Sequence, residues 1–350
     1  MRRIEIITMV MVLSFFTAVL SGCGNTADED QTKYQPGPNR KVIIDTDTGA
    51  DDACAIIMAA RSSNLDILGV TTLAGNVELE QSTKNALAAL EIAGCDAPVY
   101  GGSTENIMGE SNVVFSVFGK DGMGEADLIH PVKAAEQGDA VDFILDTVRK
   151  NPDEIEIIAL GPTTNIAKAI QKDPETMRRV KRIWSMGTAG QGPGNATPVA
   201  EFNVYGDPEA YKIMLDSGIN ITVVGLDMCG KEAQWTNAQF EELSGSGEIG
   251  EFVTKSFAKI RDFYAMNGSA DSVMNCDTLA MTCVIYPDFI TDTVQCHGSC
   301  IVEPGETFGE VLFYKKGHTY DVATNNYDYN VTLVSGVRAS DYFNLFLDTL

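Results

Sequence analysis

The sequence predicts an α/β fold, a mostly parallel central sheet flanked by helices, open and doubly wound. Three observations carry this. From Lys41 onward, apolar β-branched runs alternate with helical patterns, the signature of βαβ units and a parallel sheet. Each run then breaks into Asp, Asn, Thr or Gly, as strand ends do where they line a crevice. The spacing of the runs is uneven, which favours an open sheet over a closed barrel.

Taken in order, Val42–Ile44 forms the first strand, with a helix from about Asp51. Ile67–Leu73 forms the second, ends in Ala74-Gly75-Asn76, and precedes a helix reaching Ala93. Ile155–Leu160 turns through Gly161-Pro162-Thr163-Thr164-Asn165 into a helical run. Ile183–Met186 opens a glycine-rich loop, and Ile221–Leu226 supplies another strand. The 350 residues suffice for a sizeable core. The charge balance, 25 Lys+Arg against 49 Asp+Glu for a net −24, repels nucleic-acid polymers and attracts cations.

The first 40 residues read differently. Met1-Arg2-Arg3 is basic, Ile4 to Leu20 is mostly apolar, and Leu20-Ser21-Gly22-Cys23 closes the segment with small residues and a cysteine. That is the layout of an export signal over residues 1–22. Its ending resembles a bacterial lipobox, which implies lipidation of Cys23 and attachment to the membrane at the cell surface or periplasmic face. Residues 23–40, polar and rich in Pro and Gly, suit a tether, leaving 41–350 as the main domain. Seven further cysteines show no paired C-x-x-C unit, against a zinc ribbon. Cys296 and Cys300 are candidates for a disulfide in an oxidising compartment.

The chemistry concentrates in Asp45-Thr46-Asp47-Thr48-Gly49-Ala50-Asp51-Asp52. Asp45 and Asp47, two apart in an extended strand, share a face. Gly49 is expected to permit a sharp turn that brings Asp51 and Asp52 into the first turn of the helix. One carboxylate there can cap the helix. Four exceed what capping needs, and their repulsion calls for a cation. A hard divalent ion with oxygen ligands, Ca²⁺ or Mg²⁺, fits better than Zn²⁺ because no His is close in sequence. A phosphatase of the haloacid-dehalogenase type also begins with D-x-D, but continues differently from Thr48-Gly49-Ala50-Asp51-Asp52.

The double aspartate instead resembles the D-T-D-x-G-x-D-D signature of the inosine–uridine-preferring nucleoside hydrolases. The resemblance spans nearly all of Lys41 to Leu350. It continues through Ala74-Gly75-Asn76, Asp121-Gly122-Met123-Gly124, Leu160-Gly161-Pro162-Thr163-Thr164-Asn165 and Met186-Gly187. Gly194-Asn195-Ala196-Thr197-Pro198-Val199-Ala200-Glu201-Phe202-Asn203, Asp207-Pro208-Glu209-Ala210 and Val224-Gly225-Leu226-Asp227 follow in step. The resemblance implies Ca²⁺-dependent hydrolysis of the N-glycosidic bond of ribonucleosides, for base salvage, and homo-oligomerisation. It implies Asp47, Asp52, Asp277 and the Leu160 carbonyl as metal ligands, with Asp47 also the general base on water. Asp51 would bind the ribose 2′-hydroxyl. Asn76, Asn203 and Asp277 would take the lower hydroxyls, Asn195 and Glu201 the 5′-hydroxyl, and Asp45 would support the turn from behind.

The chain departs from the pattern at Cys276, where the best-studied members carry a His that protonates the departing base. General-acid help is worth ~10²–10⁴-fold. Cys276 is read either as a weak proton donor or as a packing residue beside Asp277. Tyr264, Tyr327 and Tyr329 are candidates to stack on the base or donate to it, and Met123 and Met186 are read first as packing residues. Asn165 reads as a loop or cap residue and Asp207 as a turn and cap. A rival reading, a nucleoside- or ribose-binding lipoprotein without turnover, keeps the metal site and explains the lost His.

Overall fold

A computed structural model of the protein describes residues 34–111, 116–269, 271–318 and 327–350. Nine of the eleven strands form one sheet. They are β1 (Arg40–Thr46), β2 (Leu65–Thr72), β3 (Val99–Gly101), β4 (Ile155–Ala159), β5 (Arg182–Met186), β6 (Ile221–Val224), β9 (Ile290–Cys300), β10 (Val311–Lys315) and β11 (Val331–Val337). Two short strands, β7 (Trp235–Thr236) and β8 (Ser272–Val273), pair separately. The order across the main sheet is β10-β9-β11-β6-β5-β4-β1-β2-β3. Every pairing from β3 to β11 is parallel, and β9 runs antiparallel to both its neighbours.

Chain order explains where a ligand can enter. From β1 the chain winds outward through β2 to β3, then returns to β4 on the other side of β1 and winds the opposite way. The helices after β1 and β4 therefore diverge, opening a crevice at the carboxyl ends of these two strands. β4 reads Ile-Glu-Ile-Ile-Ala and is buried along its whole length, as a parallel strand covered on both faces must be.

Alternate side chains of β1 serve two cores. Val42 and Ile44 join the helices Ala50–Arg61, Leu79–Ile92 and Cys276–Ile285, while Ile43 joins Ala140–Lys150, Thr164–Lys172 and Pro208–Leu215. The helix Cys276–Ile285 is buried on all sides, in keeping with its apolar Leu-Ala-Met-Thr-Cys-Val-Ile run. That burial fixes the helix whose first turn carries Asp277.

Two expectations change here. Residues 34–39, assigned to the tether, are held to the domain: Tyr34 is buried against Tyr286 and Phe289 and donates to Asp341, and Gly37 N–H donates to the Ile285 carbonyl. Burying an aromatic ring removes enough apolar area from water to hold this segment against the domain. Cys296 and Cys300 lie four residues apart on β9, both buried, hence about 13 Å apart, and both are free thiols. A disulfide needs Cα atoms within about 7 Å, so the strand forbids the bridge. Residues 1–33, with the export signal, Cys23 and most of the tether, lie outside the described residues. Among the described residues no helix is long and apolar enough to cross a membrane.

Candidate active site

β1 carries Asp45 and ends one residue before Asp47, both fully buried, and the helix Ala50–Arg61 starts after the turn Thr48-Gly49. Gly49 at its N-cap has φ −97, so no left-handed turn is needed. Its missing side chain matters for space instead: a Cβ would meet Asn76 and Phe118 at 3.2 Å. Asp52 is the capping carboxylate. Its Oδ2 accepts from Gly49 N–H (2.9 Å) and Asn76 Nδ2 (3.1 Å), and its Oδ1 accepts from the Thr46 hydroxyl.

The remaining acids are not satisfied this way. Asp47 Oδ2 accepts from Asn76 N–H (2.6 Å), while Asp47 Oδ1, Asp51 Oδ1 and Asp277 Oδ1 are buried without a hydrogen-bond partner. Carboxyl oxygens of Asp51, Asp52 and Asp277 come within 4.8 Å of one another. Asp47 lies beside this trio, close enough for its charge and that of Asp52 to act on each other. Burial and the neighbouring charges push the acids upward: Asp51 to about 8 through burial and then Asp52, with Asp47 and Asp277 also well above the carboxylate range. Asp52 is raised by burial, its hydrogen-bond donors opposing.

A hard divalent cation fits this donor set. All the donors are oxygens, three of them are buried and unpartnered, and space is kept beside Asp47: a Cβ on Gly161 would fall 2.6 Å from its Oδ1. Leu160 also lines the cleft, and its carbonyl is engaged by another lining residue. The carbonyl accepts from Asn203 Nδ2 at 2.7 Å and retains a second lone pair.

Above this floor lies a cleft of mixed lining. Asp51, Asn76, Asn195, Glu201, Asn203 and Asp277 supply its polar groups, and Val117, Phe118, Leu160, Phe202, Leu226, Ile260, Phe263, Tyr264 and Met274 its apolar and aromatic ones. Asp47, Asp52 and Asp45 sit beneath the lining rather than in it. Glu201 caps the short helix Phe202–Gly206, accepting from Asn203 N–H (3.0 Å) and Val204 N–H (3.3 Å), and burial raises it to about 7. Asn195 stands at the mouth, its Oδ1 accepting from Phe202 N–H at 2.9 Å. Asp45 is gripped from behind by the Thr71 hydroxyl (2.6 Å) and Asn165 Nδ2 (2.8 Å), and burial raises it to about 6.

Several sequence readings are corrected by these positions. Asn165 is no cap. Fully buried, it joins β1 to β2 and to Ser103, donating to Asp45 and the Thr72 carbonyl while its Oδ1 accepts from Ser103 N–H and hydroxyl, both at 2.9 Å. Tyr327 stacks on His297 and packs on Tyr314 at the far edge of the sheet, and Tyr329 lies beside it, so neither reaches the cleft. Tyr264 does line it, as does Met186, whereas Met123 is buried core. Asp207 is the expected cap, accepting from Ala210 N–H at 3.0 Å. Cys276 lines the cleft with its thiol hydrogen-bonded to Cys229; that bond and then burial raise it well above a free thiol. Ile260, Phe263 and Met274 in the apolar lining were not read from the sequence, because they look like any buried face of an amphipathic segment.

A cleft of amides, carboxylates and aromatic side chains beside a buried acid cluster suits a molecule that is half polyhydroxyl and half flat ring, which is the class of substrate cleaved by N-ribohydrolases. The comparisons with known proteins agree. The family model for inosine-uridine preferring nucleoside hydrolases matches residues 42–344. Uridine nucleosidase 1 of Arabidopsis thaliana is 36% identical over 272 residues, 76% of this chain and 81% of its own length. The pyrimidine-specific ribonucleoside hydrolase RihB of Escherichia coli is 37% identical over 298 residues, 81% and 93% of the two chains. A plant nucleoside hydrolase structure superposes with TM-score 0.83 at 32% identity, covering 89% of this chain and 99% of that one. A purine-preferring ribonucleoside hydrolase from Gardnerella vaginalis gives 0.81 at 28%, covering 89% and 98%. The chain belongs to the inosine-uridine preferring nucleoside hydrolase family and is an enzyme of the N-ribohydrolase class.

Proposed function

We propose that the protein hydrolyses the N-glycosidic bond of ribonucleosides in a calcium-dependent reaction, with uridine as the first substrate to try, since several relatives are named uridine nucleosidases. The observation that carries this reading is the buried acid cluster with unpartnered oxygens directly beneath a cleft lined by amides and carboxylates. Asp47, Asp52, Asp277 and the Leu160 carbonyl would hold the ion, with Asp51 at its side. Bound there, calcium supplies the positive charge that lets the acids ionise together and makes neighbouring water a stronger acid.

The chain's own groups do the rest. Asp47 Oδ1 is free to take a proton from water, and Asn76 N–H holds the other oxygen so that the carboxylate cannot rotate away. Asp51 accepts from the 2′-hydroxyl, while Asn76, Asn203 and Asp277 take the lower hydroxyls and Asn195 with Glu201 takes the 5′-hydroxyl. Cleavage passes through an oxocarbenium-like state, which a ring of carboxylates stabilises. The base lies against Phe118, Ile260, Phe263 and Tyr264. A site that hydrogen-bonds each hydroxyl rejects 2′-deoxyribonucleosides strongly. In this reading the segment ending at Cys23 exports the enzyme and fastens it to a membrane surface.

The test is ribose release by the chain from Gly24, with and without chelator, beside Asp47→Ala. Release from uridine that chelation and Asp47→Ala both abolish is the expected result. Metal-dependent nucleoside binding without ribose release would refute it in favour of a binding lipoprotein.

A further inference from the structure

Thr188, in the loop after β5, has φ 70, in the left-handed region that favours glycine. The other non-glycine residues with positive φ among those described are Glu125, Asp127 and Asp153, all exposed acids. Thr188 is β-branched and 1% exposed. Such a backbone is an outlier for a β-branched residue and persists only where its surroundings hold it in place.

The surroundings here are specific. Thr188 N–H donates to Glu201 Oε2 at 3.2 Å, its carbonyl accepts from Leu226 N–H at 2.9 Å, and its Oγ1 accepts from Gly190 N–H at 3.0 Å. Next in the loop, Gln191 N–H donates to Asp227 Oδ2 at 2.9 Å. The loop is therefore pinned to the turn after β6 on one side and to Glu201 on the other. Asn203 and Val204, which also donate to Glu201, belong to the helix that Glu201 itself caps. Thr188 instead ties that carboxyl group to the wall of the sheet. Glu201 and Leu226 line the cleft and Thr188 does not, so it acts through them.

We propose that Thr188 is a positioning residue that fixes Glu201 for the 5′ end of the substrate and thereby sets the enzyme's requirement for a 5′-hydroxyl. This rests on the nucleoside reading and deepens it. Glycine would adopt the same φ without strain, but it cannot make the bond to Gly190, so the peptide that donates to Glu201 loses one of its ties while those to Leu226 and Asp227 remain. The threonine hydroxyl therefore compensates for the strain by locking the donor to Glu201 in one direction.

Thr188→Gly, Thr188→Ser and wild type should be compared on uridine and on 5′-deoxyuridine, with thermal melts to confirm folding. Thr188→Gly should raise KM for uridine roughly tenfold, the loss of about one well-aligned hydrogen bond, with kcat within about twofold. Thr188→Ser, which keeps the hydroxyl, should restore most of the difference. On 5′-deoxyuridine the three proteins should agree within about twofold, because the group that Glu201 reads is gone. An unchanged KM for uridine in Thr188→Gly, or an equal loss on both substrates, overturns the inference and leaves the nucleoside reading standing. A wild type that releases no free sugar from either substrate, neither ribose from uridine nor 5-deoxyribose from 5′-deoxyuridine, overturns both.

Discussion

Replacing Gly161 with alanine adds one carbon, and the structure says where it would go. The new Cβ would lie 2.6 Å from Asp47 Oδ1, 2.9 Å from its Cγ and 2.9 Å from its backbone nitrogen, where contacts are ordinary only from 3.4 Å. Relief therefore needs a movement of about 0.8 Å at the carboxylate and about 0.5 Å at the backbone just after β1. Asp47 has little freedom to retreat, because Oδ2 is held by Asn76 N–H and the whole residue is buried. Overpacking of this kind costs about 1–3 kcal/mol of stability. A displacement near 1 Å at a reacting group costs on the order of 10²-fold in rate. We expect Gly161→Ala to fold, to melt a few degrees lower, and to lose roughly 100-fold in kcat/KM for ribose release. Gly305→Ala, whose Cβ meets nothing within 4 Å, is the matched control. A Gly161→Ala enzyme within threefold of wild type would refute the placement of Asp47 beside the reacting water.

Four further outcomes follow from the same geometry. Asp45 is raised from 3.8 to about 6 by burial, so its protonated form is the one the fold prefers; the stability it contributes is complete below about pH 4 and is lost as pH rises through 6. Asp45→Asn should remove about 3 kcal/mol of that pH dependence in urea melts of the chelated protein at pH 4 and pH 7, and an unchanged slope would count against it. Asn165→Ala leaves Ser103 N–H and Asp45 without their shared partner and should cost about 3 kcal/mol, read as a Tm lower by several degrees; a loss under about 1 kcal/mol would be too small for a buried hub. Cys276→Ala should leave kcat within about threefold, whereas loss of a true general acid would cost ~10²–10⁴-fold. Thiol titration in denaturant without reductant should find Cys296 and Cys300 free, and a bridged pair in the peptide map would contradict the β9 register.

Much of the parallel half of the fold was legible because a strand buried on both faces has no choice of residue. Ile155–Ala159 and Ile221–Val224 read as strands from apolar β-branched content alone. The site acids were legible for a related reason: four aspartates in eight residues beside a core need a partner the sequence does not contain. The C-terminal strands β9 and β11 were not read, since Thr, Asp, Gln and Ser at half-exposed sheet positions carry no clear period. Asn165 was misread because a buried hydrogen-bond hub and a loop amide look alike until Asp45, Thr72 and Ser103 are brought together in space. Tyr327 and Tyr329 failed for the same reason in reverse, as composition cannot say which end of a sheet an aromatic residue joins.

The acidic turn beside a core makes sense once its place in the sheet is known. β1 and β4 are the two strands whose following connections run in opposite directions, so their carboxyl ends are where a buried pocket can open without breaking the core. In the proposed reading, concentrating acids there commits the bond-breaking force to the ribose side of the cleft. The base side holds Phe118, Ile260, Phe263 and Met274, with the Tyr264 hydroxyl and the Cys276 thiol as its proton-bearing groups among the described residues. Both are held as weaker acids than usual, Tyr264 by burial first, and Cys276 by its bond to Cys229 and by burial. A site arranged this way gains more by stabilising the ribosyl cation than by protonating the departing base. Its rates across substrates should therefore follow the intrinsic leaving ability of the base more closely than those of an enzyme with a histidine at that position.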